Sequence, residues 1–141
     1  MSVEENKALI RRYMEETFNQ GNIAVIEQIA SSDFVYHHAT GKDLSIEAYK
    51  QMSSMTQNAF PDAHMKIDDL FAEGYKVACL WTIKCTHTGE YQGIPPTGKK
   101  ITFQGINIFR IADGKIAEVW SQFNVLGMMQ QLGVIPPMGK K

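Results

Sequence analysis

KKITFQGINIFRIADGKIAEVWSQFNVLGMMQQLG, residues Lys99 to Gly133, decides the fold. Two strand-like runs, Ile101–Ile111 and Lys115–Phe123, flank Asp113-Gly114. A type I′ turn needs positive φ at both central residues, and Asp-Gly adopts that at little cost, so the pair predicts a β-hairpin. Beyond it come Asn124 and an apolar segment that reads as a short helix, stopped by Gly133 and Pro136.

A two-residue turn also predicts a register. Ala112 opposes Lys115 and Ile111 opposes Ile116. Continued outward, Phe109 meets Glu118, Asn107 meets Trp120, Gly105 meets Gln122 and Phe103 meets Asn124. Opposed residues share a face. One face then carries Phe103, Gly105, Asn107, Phe109, Glu118, Trp120, Gln122 and Asn124. Aromatic bulk mixed with carboxylate and amide groups is the composition of a small-molecule pocket. The other face, with Gln104, Ile106, Ile108, Arg110, Val119, Ser121 and Phe123, is largely apolar and needs a cover; a second copy of the chain is the expected one.

Upstream, Leu9, Ile10, Tyr13, Met14, Thr17 and Phe18 form a helical stripe within Val3–Asn19, and Gly21 ends it. Ile23–Ile29 reads as a second, shorter helix, with Asn22 at its N-cap. Ser32–His38 switches to a β-like run. Ser45 starts a third helix with Tyr49, Met52, Met55, Thr56 and Phe60 on its buried stripe, closed at Pro61-Asp62. Two strands follow, His64–Glu73 and Lys76–His87, turning at Gly74. The second alternates Val77, Cys79, Trp81, Ile83, Cys85 and His87 on one face. Thr88–Lys99 is a loop rich in Gly and Pro. Three N-terminal helices and an antiparallel meander predict one α+β domain.

The 141 residues are 44% hydrophobic and 21% charged, with a net charge of −1, ordinary for one globular domain. That charge gives no general attraction to nucleic acid or to anionic membranes. No apolar run nears the roughly 20 residues of a membrane span, and the polar start MSVEENKALIRR is no secretory signal. Cys79 and Cys85 lie six apart on one predicted strand, hence roughly 20 Å apart and beyond the ~7 Å limit of a disulfide. They read as small core hydrophobes of a cytoplasmic protein. His, Asp and Glu are too scattered to suggest a metal site. Gly93–Lys99 lacks the GK[ST] pattern and the strand-to-helix setting of a phosphate loop.

Several residues could carry chemistry. His87 ends a strand on the face of Trp81, and an ordinary histidine pKa suits acid/base work at neutral pH. Its structural alternative is a strand-end histidine bonded to loop backbone. His38 closes a β-like run, and His37 points the other way, toward solvent. Glu118, if buried beside Trp120, would have a raised pKa and could act as a base. Asp62, after a proline at a helix-to-strand corner, reads as a turn residue. Tyr13 lies on a buried stripe and its hydroxyl needs an internal partner. Met52, Met55, Met128 and Met129 read as core filling that also suits an apolar ligand.

The pieces Phe60-Pro61-Asp62, Thr86-His87-Thr88-Gly89, Gly93-Ile94-Pro95-Pro96-Thr97-Gly98-Lys99, Asp113-Gly114-Lys115-Ile116-Ala117-Glu118, Trp120 with position 124, and Gln131-Leu132-Gly133 run through nearly the whole chain. In these the chain resembles the SnoaL-like polyketide cyclases, the "ester cyclases" of the NTF2-like superfamily. The resemblance implies a cone of helices closed onto a strongly curved antiparallel sheet, an internal pocket and a homodimer. It implies cofactor-free intramolecular aldol closure of a polyketide ester, with an aspartate four residues after the tryptophan as acid/base. Here that position is Asn124, whose carboxamide does not titrate but can hydrogen-bond an enolate-like oxygen. His38 matches a position where relatives carry histidine. By analogy with NTF2-like isomerases, Tyr13 would donate to an oxyanion.

The expected function is therefore binding of a small, mostly apolar carbonyl compound. The expected chemistry is cofactor-free proton transfer next to the carbonyl, for cyclisation or isomerisation. The expected catalytic set is His87, His38, Glu118 and Asn124. Tyr13, Trp81, Phe103, Asn107, Trp120 and Gln122 would line the pocket. The alternative is a non-catalytic binding protein that lost its acid/base at Asn124. An epoxide-opening hydrolase needs paired carboxylates with an arginine in the pocket; Arg110, expected on the face opposite Glu118, ranks it last.

Overall fold

A computed structural model describes residues 2–136. Helix α1, Val3–Arg12, starts with a reciprocal capping box between Ser2 and Glu5. It runs on into a π-helical segment, Tyr13–Asn19. Helix α2, Val25–Ile29, has Ala24 at its N-cap rather than the expected Asn22. Strands β1, Ala30–His37, and β2, Asp43–Ser45, precede helix α3, Ile46–Ala59, whose N-cap is Ser45 as expected. Then come β3, His64–Glu73, β4, Lys76–Thr86, β5, Lys100–Ala112, β6, Lys115–Phe123, and helix α4, Val125–Leu132.

The six strands form one open sheet in the order β2-β1-β6-β5-β4-β3. The sheet is mixed where an antiparallel one was expected, because β1 pairs parallel to β6. That pairing joins segments about eighty residues apart, so no local turn signal announces it. The Asp113-Gly114 turn forms with positive φ at both residues, 52° and 75°. On β4, Val77, Cys79, Trp81, Ile83 and Cys85 are all buried, as the alternation predicted, and both cysteines are free. Among the described residues no helix is long and apolar enough to cross a membrane.

The hairpin register departs from expectation one pair beyond the turn. Ala112 opposes Lys115 and Ile111 opposes Ile116, but Arg110 then opposes Glu118, leaving Ala117 as the extra residue of a β-bulge. Ile116 and Ala117 are consecutively buried, the mark of that bulge. Beyond it every β6 side chain has changed face relative to the two-residue-turn register. Val119, Ser121 and Phe123 now align with Phe109, Asn107 and Gly105, while Glu118, Trp120 and Gln122 align with Arg110, Ile108 and Ile106. The outer face leaves Ile106 48% and Ile108 40% exposed.

On that outer face His37, at the end of β1, ties the parallel pair together. Its Nε2 lies 2.6 Å from Glu118 Oε2 and its Nδ1 2.7 Å from Asp43 Oδ1. Arg110 Nε donates to the other Glu118 oxygen at 3.0 Å, and the imidazole stacks on Trp120 at 5.3 Å. Glu118 first and Asp43 second hold the His37 pKa above the ordinary histidine value. His37 in turn holds the Glu118 carboxyl below its ordinary range, with help from Arg110. His37 binds its proton more tightly folded than unfolded, so its contribution is complete below about pH 6.5 and is lost as pH rises through the raised value. The Glu118 contribution has the opposite sign and fades in acid. Denaturant unfolding followed from pH 5 to 9 should show stability falling on the alkaline side, and His37→Gln should flatten that fall. An unchanged slope in His37→Gln would show that the network is not coupled to folding.

Candidate functional site

The helices and the inner face of the sheet line a partly open cavity of about 230 Å³. Helix α1 does not simply lie over the sheet. The π-helical segment ends at Asn19, which grips the free edge of β3: its Nδ2 donates to Met65 O at 3.0 Å and its Oδ1 accepts from Met65 N at 2.7 Å. Its wide turns present Tyr13, Met14 and Thr17 to the cavity, and π-turns recur at functional sites. From the sheet come Tyr36, Trp81, Phe103, Asn107, Ser121 and Phe123, and from α3 come Tyr49 and Met52.

Trp81 reaches its place because of Gly105. A Cβ there would meet the indole at 2.4 Å and Phe123 Cβ at 2.7 Å. The indole therefore crosses a bare backbone, packs with Phe103 and Phe123, and donates from Nε1 to Asn107 Oδ1 at 3.2 Å. Tyr13 and Tyr49 hold their hydroxyls together in a close hydrogen bond. Burial raises Tyr49, and pushes Tyr36 up to about 12 against the opposing hydrogen bond with Ser121. Tyr91 and Cys85 are also raised by burial. All four stay protonated at neutral pH.

His38 is the lining residue that ordinarily titrates between pH 5 and 8. Among the described lining residues none is Asp, Glu, Lys or Arg. Burial first, then Lys42, lowers the His38 pKa, so the neutral ring is favoured. Two contacts define its tautomers. Thr40 N–H donates to Nδ1 at 3.1 Å, which needs a lone pair there, while Thr40 Oγ1 at 2.8 Å can accept from Nδ1–H. Nδ1 is thus engaged by Thr40 in either form, which leaves Nε2 a donor in the first and a base in the second.

The structure brings together His38, Tyr13, Trp81, Phe103 and Asn107 of the expected set. Others it places elsewhere. Glu118, Trp120 and Gln122 stand on the outer face, turned out by the bulge at Ala117. Arg110 pairs with Glu118 there, where it was expected on the opposite face, so that carboxylate and arginine lie outside the cavity. His87 is fully buried but is a loop clamp. Its Nδ1 accepts from Thr97 N–H at 3.2 Å, and its backbone pairs with Gly98 and Lys99. Asp62 likewise pins Thr86 by backbone and hydroxyl. His37, expected in solvent, is paired. Met52 and Met128 line the cavity, whereas Met55 is 63% exposed.

Asn124 is also outside. It is exposed and its Oδ1 accepts from Gly127 N at 2.9 Å, the N-cap bond of α4. Asn and Asp cap helices about equally well, so either residue satisfies this position on structural grounds. Tyr36, Tyr49, Ser121 and Thr17 also line the cavity, beyond the residues the sequence marks as site candidates. Tyr49 and Thr17 lay on predicted buried stripes, a signal that marks burial but not a cavity. Ser121 was masked by the bulge. Among the described residues no cluster of three or more His, Cys, Asp or Glu could hold a metal ion.

Comparison with known proteins follows the same lines. A family model described as SnoaL-like polyketide cyclase matches residues 8–132. Aklanonic acid methyl ester cyclase DnrD of Streptomyces peucetius is 26% identical over 129 residues, covering 89% of this chain and 88% of that protein. Among solved structures, AclR of Streptomyces galilaeus, a proposed hydroxylase, superposes with a TM-score of 0.88 at 29% identity over 99% of this chain and 91% of its own. IdmH of Streptomyces antibioticus, a proposed polyketide cyclase, has a TM-score of 0.80 at 29% identity, covering 92% and 99%. If position 124 is a cap, Asn124→Ala should cost about 1 kcal/mol of stability and Asn124→Asp less than about 0.5 kcal/mol. Urea unfolding measures both; a neutral Asn124→Ala would remove the capping role.

Proposed function

From the premise that the chain belongs to the SnoaL-like polyketide cyclase family, we propose that it is a cofactor-free cyclase acting on a small, mostly apolar carbonyl compound, with His38 moving the proton. The observation that carries this is the lining itself: one near-neutral titrating group, His38, among neutral hydroxyl and amide donors on aromatic and methionine walls. Intramolecular aldol closure asks for little more. A base takes the proton from the carbon next to a carbonyl, and the enolate carbon attacks a second carbonyl of the same molecule. The new alkoxide then takes a proton. Nothing is oxidised, and one histidine can lend the same proton back. The buried Tyr13–Tyr49 hydroxyl pair is suited to donate to the enolate oxygen. A cavity of about 230 Å³ is below the usual range of roughly 300–1,000 Å³. The enclosed part of the ligand is therefore small.

The assay uses aklanonic acid methyl ester, the compound in the name of DnrD, and a one-ring keto ester. Closure leaves the substrate mass unchanged, whereas a hydroxylation would add one oxygen, so mass spectrometry separates the two. His38→Gln should lower kcat by about 10²–10⁴ and leave Kd within a few-fold. Because the His38 pKa is lowered, wild-type kcat should hold as pH falls through about 6.5 and drop only in stronger acid. Binding without turnover in wild type would favour a non-catalytic binding protein, the reading that the absence of a lining carboxylate supports.

The same proposal includes a second copy of the chain on the outer sheet face. Ile106 and Ile108 stand exposed there beside Trp120, and the neighbouring His37, Glu118 and Arg110 are already paired with one another. Sedimentation at micromolar concentration should show a dimer that Ile108→Glu dissociates; a monomeric wild type would overturn it.

A further inference from the structure

Resting on the proposed apolar carbonyl site, the geometry points to Thr17 as a specificity-determining residue: its hydroxyl takes a second, neutral oxygen function of the ligand, separate from the carbonyl that His38 serves. Three observations meet at this side chain. Thr17 is 7% exposed, it lines the cavity, and its Oγ1 has no hydrogen-bond partner among the described residues. A threonine inside a helix ordinarily turns its hydroxyl back to the carbonyl one turn earlier. In the π-helical segment it does not, and a buried hydroxyl left unpaired is a cost that structures usually avoid.

Its place in the fold sets the position of the ligand oxygen. His38 directly follows β1, while the Thr17 segment is anchored through Asn19 to Met65 of β3. In the sheet order β6, β5 and β4 lie between these two strands, which is about 19 Å measured along the sheet and less across its concave side. The two residues therefore enter the cavity from elements tied to different strands of the sheet. Met14, Phe18, Asn19 and Met65 line the cavity with Thr17, and no described lining residue is Asp, Glu, Lys or Arg, so a carboxylate or ammonium would be left unpaired. A hydroxyl or ketone oxygen suits a threonine, which both donates and accepts.

The probes are 1-tetralone and its 5-, 6- and 7-hydroxy derivatives, titrated calorimetrically into wild type, Thr17→Val and Thr17→Ser. At least one hydroxy isomer should bind wild type about three- to tenfold more tightly than 1-tetralone. Thr17→Val should abolish that preference while binding 1-tetralone as wild type does, and Thr17→Ser should keep it. The Tm of Thr17→Val should not fall, since valine fills the same space without an orphaned hydroxyl; a packing role alone would predict neither the lost preference nor its rescue by serine. If 1-tetralone binds but no isomer is preferred, or if the preference survives in Thr17→Val, the Thr17 assignment is overturned and the carbonyl site stands. If wild type binds none of the four, both are overturned.

Discussion

One extra residue, Ala117, decides what the cavity is made of. Without the bulge the Asp113-Gly114 turn would bring Glu118, Trp120 and Gln122 to the inner face, beside Phe109 and Asn107. With it that face receives Val119, Ser121 and Phe123. The exchange is chemical as well as steric. An inward Glu118 would put a carboxylate in an apolar cavity, where it must be paired or protonated. Outward, it becomes the hinge of an ion-paired network with His37, Asp43 and Arg110. The cavity is left with neutral donors and one histidine.

The same bulge explains why the sequence was informative about the hairpin and misleading about its faces. Turn chemistry is local: Asp-Gly states its φ preferences in two residues, and the turn forms as expected. A bulge at an alanine has no such signature, since Ala fits either strand position. Alternation on β4 was legible because Val77 to Cys85 runs without interruption. The parallel β1–β6 pairing was not, because nothing near Ser32–His38 names its partner. The cavity residues were half legible for a related reason. Trp81, Phe103 and Asn107 lie on unbroken strand alternations and Tyr13 on the helical stripe, whereas His38 lies past the end of β1, Ser121 downstream of the bulge and Asn124 past the end of β6.

Family resemblance has a limit that the fold makes physical. A motif position transfers a residue type, and only the backbone says where that side chain goes. At position 124 the side chain closes the first turn of α4, with its oxygen on Gly127 N. Asparagine and aspartate do that work equally well, so a difference between them is weak ground for assigning or denying chemistry. His87 makes the same point in reverse. Its identity suits catalysis, but it is not among the described residues that line the cavity, and its Nδ1 and backbone hold the Thr97–Lys99 loop.

What the cavity can do then follows from what its groups can hold. Tyr36, Tyr49 and Tyr91 are kept protonated by burial, so they can steady an enolate oxygen but cannot take a proton from carbon. Burial and Lys42 lower the His38 pKa, so in the proposed reaction it would take that proton and add no standing positive charge. Division of labour between a neutral base and neutral donors favours reactions that begin and end uncharged and pass briefly through an anion. Aldol closure of a neutral keto ester is such a reaction. A substrate already carrying a carboxylate beside the reacting carbon would find no cation among these lining residues to meet it.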